Sequence, residues 1–158
     1  MKRFVRKVAP TLVALATVIA GCSGGASSIL GPELFTYSAT SQITSANPMR
    51  FQTTATVTNG TNGPIEYVPA CPIPRVLVYT TPARTGTPFW DSLSLALPCP
   101  LQMGTALAAG ESRTYTLTGP GSTVLGATGA PGTYYLVAEV TLSGIATDVS
   151  AGQLNITR

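Results

Sequence analysis

Met49-Arg50-Phe51-Gln52-Thr53-Thr54-Ala55-Thr56-Val57-Thr58 alternates with a period of two. Met49, Phe51, Ala55 and Val57 share one face; Arg50, Gln52, Thr54, Thr56 and Thr58 share the other. Successive side chains of an extended strand point to opposite faces, so this stretch reads as a strand with one buried face and one wet face. Asn59-Gly60 and Asn62-Gly63-Pro64 follow, residues that tolerate positive φ, and they predict a turn. Ile65 then begins a returning strand over 65–68.

Working outward, the same signal recurs. Residues 75–81 (RVLVYTT) read as a strand, and Phe89-Trp90-Asp91 starts a short one after the turn at 84–88. In 112–118 (SRTYTLT), Tyr115 and Leu117 face inward while Thr114, Thr116 and Thr118 face out. In 132–142, placing Glu139 in water sends Tyr134, Leu136, Ala138, Val140 and Leu142 inward. A last strand over 153–157 buries Leu154 and Ile156, and an N-terminal one is expected over 35–43. Residues 105–109 read as a single helical turn, too short to change the class. Prolines interrupt every helical stripe, and Thr, Val and Tyr are frequent, which is strand composition with turn punctuation. The expected fold is all-β, an Ig-like antiparallel β-sandwich of seven or eight strands.

The start of the chain has a different character. Lys2, Arg3, Arg6 and Lys7 precede an uncharged run at 8–21. That run is shorter than the ~20 residues that span a bilayer as a helix. A basic start, a short apolar stretch and a small-residue exit read as a secretory signal peptide over 1–21. The exit, Ile19-Ala20-Gly21-Cys22, resembles the bacterial lipobox. The resemblance implies that Cys22 is acylated and becomes the first residue after cleavage. Each buried CH₂ adds ~0.8 kcal/mol of membrane affinity, so two or three chains anchor firmly. Residues 22–33, including the small polar run 23–28, then form the lipidated tether, and the domain occupies 34–158. The expected address is a bacterial cell envelope, at the outer membrane where the cell has one, since Ser23 follows the Cys.

Composition narrows the chemistry. There is no His, so no imidazole is available as base or metal ligand. Beyond Gly21 the chain has five Arg, no Lys and six carboxylates. The basic balance therefore belongs to the signal, and nothing supplies the basic stripe that a nucleic-acid partner needs. The acids are scattered: Glu33, Glu66, Asp91, Glu111, Glu139 and Asp148. The run 59–63 (NGTNG) lacks the carboxylates that hard cations prefer. No catalytic residue, metal or cofactor is expected.

With Cys22 given to lipid, Cys71 and Cys99 remain. An exported chain lives where disulfides persist, and two Cys allow one pairing. Two buried free thiols or a redox pair are the other readings, but C-x-x-C spacing is absent. Closure would stabilise by roughly 3–4 kcal/mol on the chain-entropy model.

Four landmarks occur in order: Thr56-Val57-Thr58-Asn59 with its polar turn; Val76-Leu77-Val78-Tyr79 followed by Phe89-Trp90; Ala109-Gly110-Glu111-Ser112-Arg113-Thr114-Tyr115; and Pro131-Gly132-Thr133-Tyr134-Tyr135-Leu136-Val137-Ala138-Glu139-Val140. In these, residues 45–158 resemble the bacterial intracellular proteinase inhibitor (BsuPI) family. The resemblance implies a small Ig-like sandwich and an inhibitory function. A cell-envelope interaction module without inhibitory activity is the alternative. The expected partners are the membrane, through the anchor, and an envelope protein, a protease under the first reading.

Candidate contact residues follow. Trp90, the single Trp, is either a core aromatic or a contact anchor. The stretch Leu97-Pro98-Cys99-Pro100-Leu101 would suit a rigid exposed loop, stiffened by proline and tethered by the disulfide. Loops at 82–88, 97–103 and 119–131 are the wider contact candidates. Tyr134, just after Pro131-Gly132-Thr133, resembles the tyrosine corner of Greek-key sandwiches, whose hydroxyl bonds a nearby backbone carbonyl.

Overall fold

A computed structural model describes residues 34–95, 97–99 and 103–158. The signal peptide, Cys22 and the tether, together with Pro100 and Leu101, lie outside the described residues. β1 (Phe35–Ala46) and β2 (Met49–Asn59) pair in antiparallel register from Phe35↔Asn59 to Ala46↔Met49. β2 buries the face expected from its alternation: Met49, Phe51, Ala55 and Val57 are all inside. Thr53 falls on that inner face too and is fully buried, its hydroxyl bonded to Ser41 Oγ at 2.8 Å.

β3 (Ile65–Tyr67), β4 (Arg75–Tyr79) and the two-residue β5 (Trp90–Asp91) follow, then β6 (Thr105–Leu107) and β7 (Ser112–Pro120). A short helix α1 (Gly121–Leu125) leads to β8 (Gly132–Leu142) and β9 (Ile145–Ile156). The strands make three sheets: β1-β2-β7, β5-β4-β8-β9 and a small β3-β6 pair. All strand pairing is antiparallel. The fold is an all-β antiparallel sandwich.

The core contains Phe51, Val57 and Leu117 from the first sheet. From the second it takes Val76, Val78, Trp90, Leu136, Val140 and Ile156. β8 keeps the predicted phase, with Tyr134, Leu136, Ala138, Val140 and Leu142 buried. Its other face is not simply wet. Leu77, Tyr79 and Val137 form a second buried cluster with Tyr135 beside it, and Arg84 lies 5.7 Å from the Tyr135 ring centre. Arg84 Nη2 also donates to the Gly152 carbonyl at 3.4 Å, across the sheet.

The described residues hold nine strands, three of them only two or three residues long, in keeping with the expected sandwich of about seven or eight. Three expectations are corrected. Residues 105–109 form no helical turn: Thr105, Ala106 and Leu107 pair with Tyr67, Glu66 and Ile65, and Leu107 is fully buried. Tertiary pairing overrides a local reading there. The last strand begins at Ile145, not near Gln153. It continues through an irregularity in which Tyr135 pairs Gln153 but Val137 pairs Ser150, with Gly152 at φ 88°. Such a bulge hides the strand's continuity from its sequence pattern. Finally, 119–131 is not an open loop. α1 buries Val124 and Leu125, and Gly121 sits so tightly against Met49 and the Thr157 carbonyl that no Cβ fits.

Candidate functional site

Cys71 lies in the Pro-rich lead into β4, and Cys99 lies beyond the 3₁₀ turn Ser92–Ser94 that follows β5. The two are joined, 28 residues apart, with Cα atoms 5.6 Å from each other, inside the usual disulfide range. The bond ties the β5–β6 connection to the lead-in of β4. Beside it opens a cleft of about 340 Å³, lined by Cys71, Pro72, Ile73, Leu97 and Pro98 together with Thr116, Leu117 and Thr118 of β7. The lining is apolar apart from threonine hydroxyls and carries no charge. Leu97 is 38% exposed at this site. The structure thus brings Cys71, Cys99, Leu97 and Pro98 into one place.

Trp90 does not belong to that surface. It is 8% exposed and lies in the core, edge-on to Phe51 at 6.3 Å between ring centres. The contact reading of Trp90 is corrected: β5 pairs with β4 so that Trp90 opposes Val78, whose side chain is itself inside.

Asp91, the next residue, points the other way. Its carboxylate takes two bonds from Arg75, Nε to Oδ1 at 3.0 Å and Nη2 to Oδ2 at 2.6 Å. Arg75 Nη1 donates to Glu139 at 3.1 Å, and the two residues are cross-strand partners. Asp91 Oδ1 also accepts the Leu93 N–H and so caps the 3₁₀ turn. The Arg75 bond, backed by the Leu93 N–H, holds the Asp91 carboxyl below its ordinary value against the opposing effect of burial. Arg75 is correspondingly held in its charged form. Glu111 bonds the Ala108 N–H at 2.8 Å. Three of the acids are therefore engaged in holding strands and turns.

Two further polar sites are structural. Asn59 is 1% exposed. Its Nδ2 donates to the carbonyls of Gly63, Leu107 and Ala108 at 2.7, 3.0 and 3.0 Å, and its Oδ1 accepts from the Thr61 N–H and hydroxyl. One amide thereby fastens its own turn to the end of β6. Tyr134 donates its hydroxyl to the Ala130 carbonyl at 2.7 Å, as the tyrosine-corner reading anticipated.

The Tyr67–Tyr115 hydroxyl pair, 2.6 Å apart, was not legible in the sequence, since nothing in the spacing links these positions. Burial pushes the Tyr115 hydroxyl well above its ordinary value, and its bond with Tyr67 adds to the effect. Among the described residues there is no cluster of three or more His, Cys, Asp or Glu that would hold a metal. No helix among them is long and apolar enough to cross a membrane.

No known family profile matches the chain, and no curated protein matches it in sequence. Solved structures share its shape at a low level. A Bordetella pertussis structure described as an ApaA protein has a TM-score of 0.38 at 17% identity, over 76% of this chain and 89% of that one. A β-glucosidase from Erythrobacter marinus also reaches 0.38, at 15% identity, over 74% of this chain. One from Listeria innocua, solved with glucose, reaches 0.34 at 14% identity over 75%. This chain spans only 15% and 16% of those two enzymes. None of these likenesses assigns a role to a residue here.

Proposed function

We propose that this chain is an exported, lipid-anchored binding domain of BsuPI type that acts through its surface and not by catalysis. The observation that carries the reading is the disulfide-tethered segment presenting Leu97 and Pro98 beside an uncharged cleft. A partly exposed apolar rim tethered by a disulfide suits contact with a protein. Asp91, Glu139 and Glu111 are occupied with structural bonds, which leaves binding as the chemistry best supported.

The anchor rests on the lipobox-like Ile19-Ala20-Gly21-Cys22 after a basic, apolar start. Labelled palmitate is expected in the wild-type chain and absent from Cys22→Ala; equal labelling of both would end the anchor reading. The purified chain is expected to turn over nothing in peptide, glycan and ester panels. Reproducible turnover lost on replacing Asp91 or Glu111 would overturn the binding reading.

Proteinase inhibition is the narrower reading, favoured by the position of Leu97 on the tethered segment. At stoichiometric amounts the chain would slow at least one serine protease, and Leu97→Asp would relieve it. No effect on any protease leaves the cell-envelope interaction module.

A further inference from the structure

The cleft beside the disulfide adjoins a strand whose outer side has no strand partner among the described residues. The sheet order β1-β2-β7 puts β7 at an edge. At the head of its ladder the Asn59 N–H donates to the Glu111 carbonyl at 2.9 Å, and the register runs on through Thr58↔Ser112 and Val57↔Arg113. Backbone groups of successive strand residues point to alternate sides. Arg113, Tyr115 and Leu117 therefore turn their N–H and C=O toward β2. Thr114, Thr116 and Thr118 turn theirs away, and among the described residues these groups have no backbone partner. Thr116 and Thr118 are the same residues that line the cleft with Ile73, Leu97 and Pro98.

Proteins usually blunt such an edge with charge, proline or a cover. β7 has Arg113 near one end and Pro120 at the other; 114–118 carries neither charge nor proline, and Ile73, Leu97 and Pro98 stand beside Thr116–Thr118 across the cleft with no backbone bond to them among the described residues. A row of donors and acceptors at strand spacing is matched by one kind of ligand, another extended backbone. Alternate side chains of an added strand point the same way, so one or two of them would enter the cleft. The uncharged lining selects apolar ones. The surroundings agree: Leu93 and Met103, on the same connection as Leu97, are both more than half exposed.

We propose that the free edge of β7 and the adjoining cleft form a strand-addition site. It takes an extended, uncharged segment of a partner protein with apolar residues at alternate positions. The proposal rests on the binding-domain reading, and it is independent of the anchor at Cys22 and of proteinase inhibition.

The test uses the purified chain and a synthetic heptapeptide of alternating Thr and Leu, followed by backbone amide NMR shifts. Saturable shifts are expected at 114–118 and at Ile73 and Leu97. Two derivatives, N-methylated at every Thr or at every Leu, remove the donors from one edge of the peptide or the other. One derivative should bind about tenfold or more weakly and the other should bind much as before. Thr116→Pro deletes an outward N–H while leaving the ladder to β2, a place where edge strands tolerate proline. It should weaken the parent peptide by a similar factor. Should that variant not fold, Leu97→Glu at the exposed rim serves instead. Absence of saturable shifts at millimolar peptide overturns the proposal, as does binding indifferent to both methylation patterns. Shifts at 114–118 that follow protein concentration alone would assign the edge to a second copy and also overturn it. Substrate turnover in the activity panels would sink the binding-domain reading while leaving this titration readable by itself.

Discussion

Arg75 and Asp91 grip each other at two points, with Glu139 on the remaining guanidinium nitrogen, so that β5, β4 and β8 are laced together on the outer face of their sheet. Two-point pairing of this kind is stronger and more directional than a single contact. The side chains are roughly a fifth to a third exposed, which limits the gain to about 1 kcal/mol.

The Asp91 carboxyl is held below its ordinary value of 3.8, so its contribution has a defined pH window. It is fully present above that value and disappears as the pH falls through the lowered one. Asp91→Asn is expected to lose about 1 kcal/mol at neutral pH and to converge with the wild type as the pH falls through the lowered value. Urea unfolding across that range measures it; a constant gap at every pH would refute the assignment.

Asn59→Ala removes the amide that donates to the carbonyls of Gly63, Leu107 and Ala108 in a nearly dry site, although Gly63 keeps the Thr61 hydroxyl and Ala108 keeps the Glu111 N–H. The expected cost is about 1–3 kcal/mol. Asn59→Asp should be worse, because the carboxylate has no N–H to give and brings a charge into the same place. Thermal unfolding of the two variants gives the order, and an innocuous Asn59→Asp would contradict the donor role.

Reduction should raise the intact mass of the Cys22→Ala chain by two hydrogens. Replacing both Cys71 and Cys99 by Ser is expected to cost about 3–4 kcal/mol for a closed loop of this size. It should also weaken the strand-addition site, since Cys71 lines the cleft. Two freely alkylatable thiols without reductant would be the contrary result.

Tyr134→Phe removes one hydroxyl bond to Ala130 and leaves the ring against Phe89, 5.3 Å between centres. A loss of about 1 kcal/mol is expected. A change below the error of the denaturation curve would show that water serves the Ala130 carbonyl equally well.

What was legible in the sequence is what depends on side-chain period and on bonds between near neighbours. Phe51 to Val57, Tyr134 to Leu142 and the Tyr134 hydroxyl fall where alternation and turn chemistry put them. The Cys pair followed from export chemistry and from there being one way to join two thiols. What stayed hidden depends on distant partners. Residues 105–107 are a strand because Ile65, Glu66 and Tyr67 are there to receive them. Asp91 counted as one of the scattered acids because Arg75 lies 16 positions away. The cleft joins residues near 72, 97 and 117, and only the closed sandwich brings those together.

The order β1-β2-β7 also bears on how the chain comes into being. The first hairpin is complete once Asn59 has been made, but the strand that covers its other side starts at Ser112. At roughly 5–20 residues per second that gap lasts about 3–10 s. A lone two-stranded hairpin is marginal in water, and its open side is a template for unwanted pairing. During that interval the edge of residues 49–59 that β7 will cover has no partner.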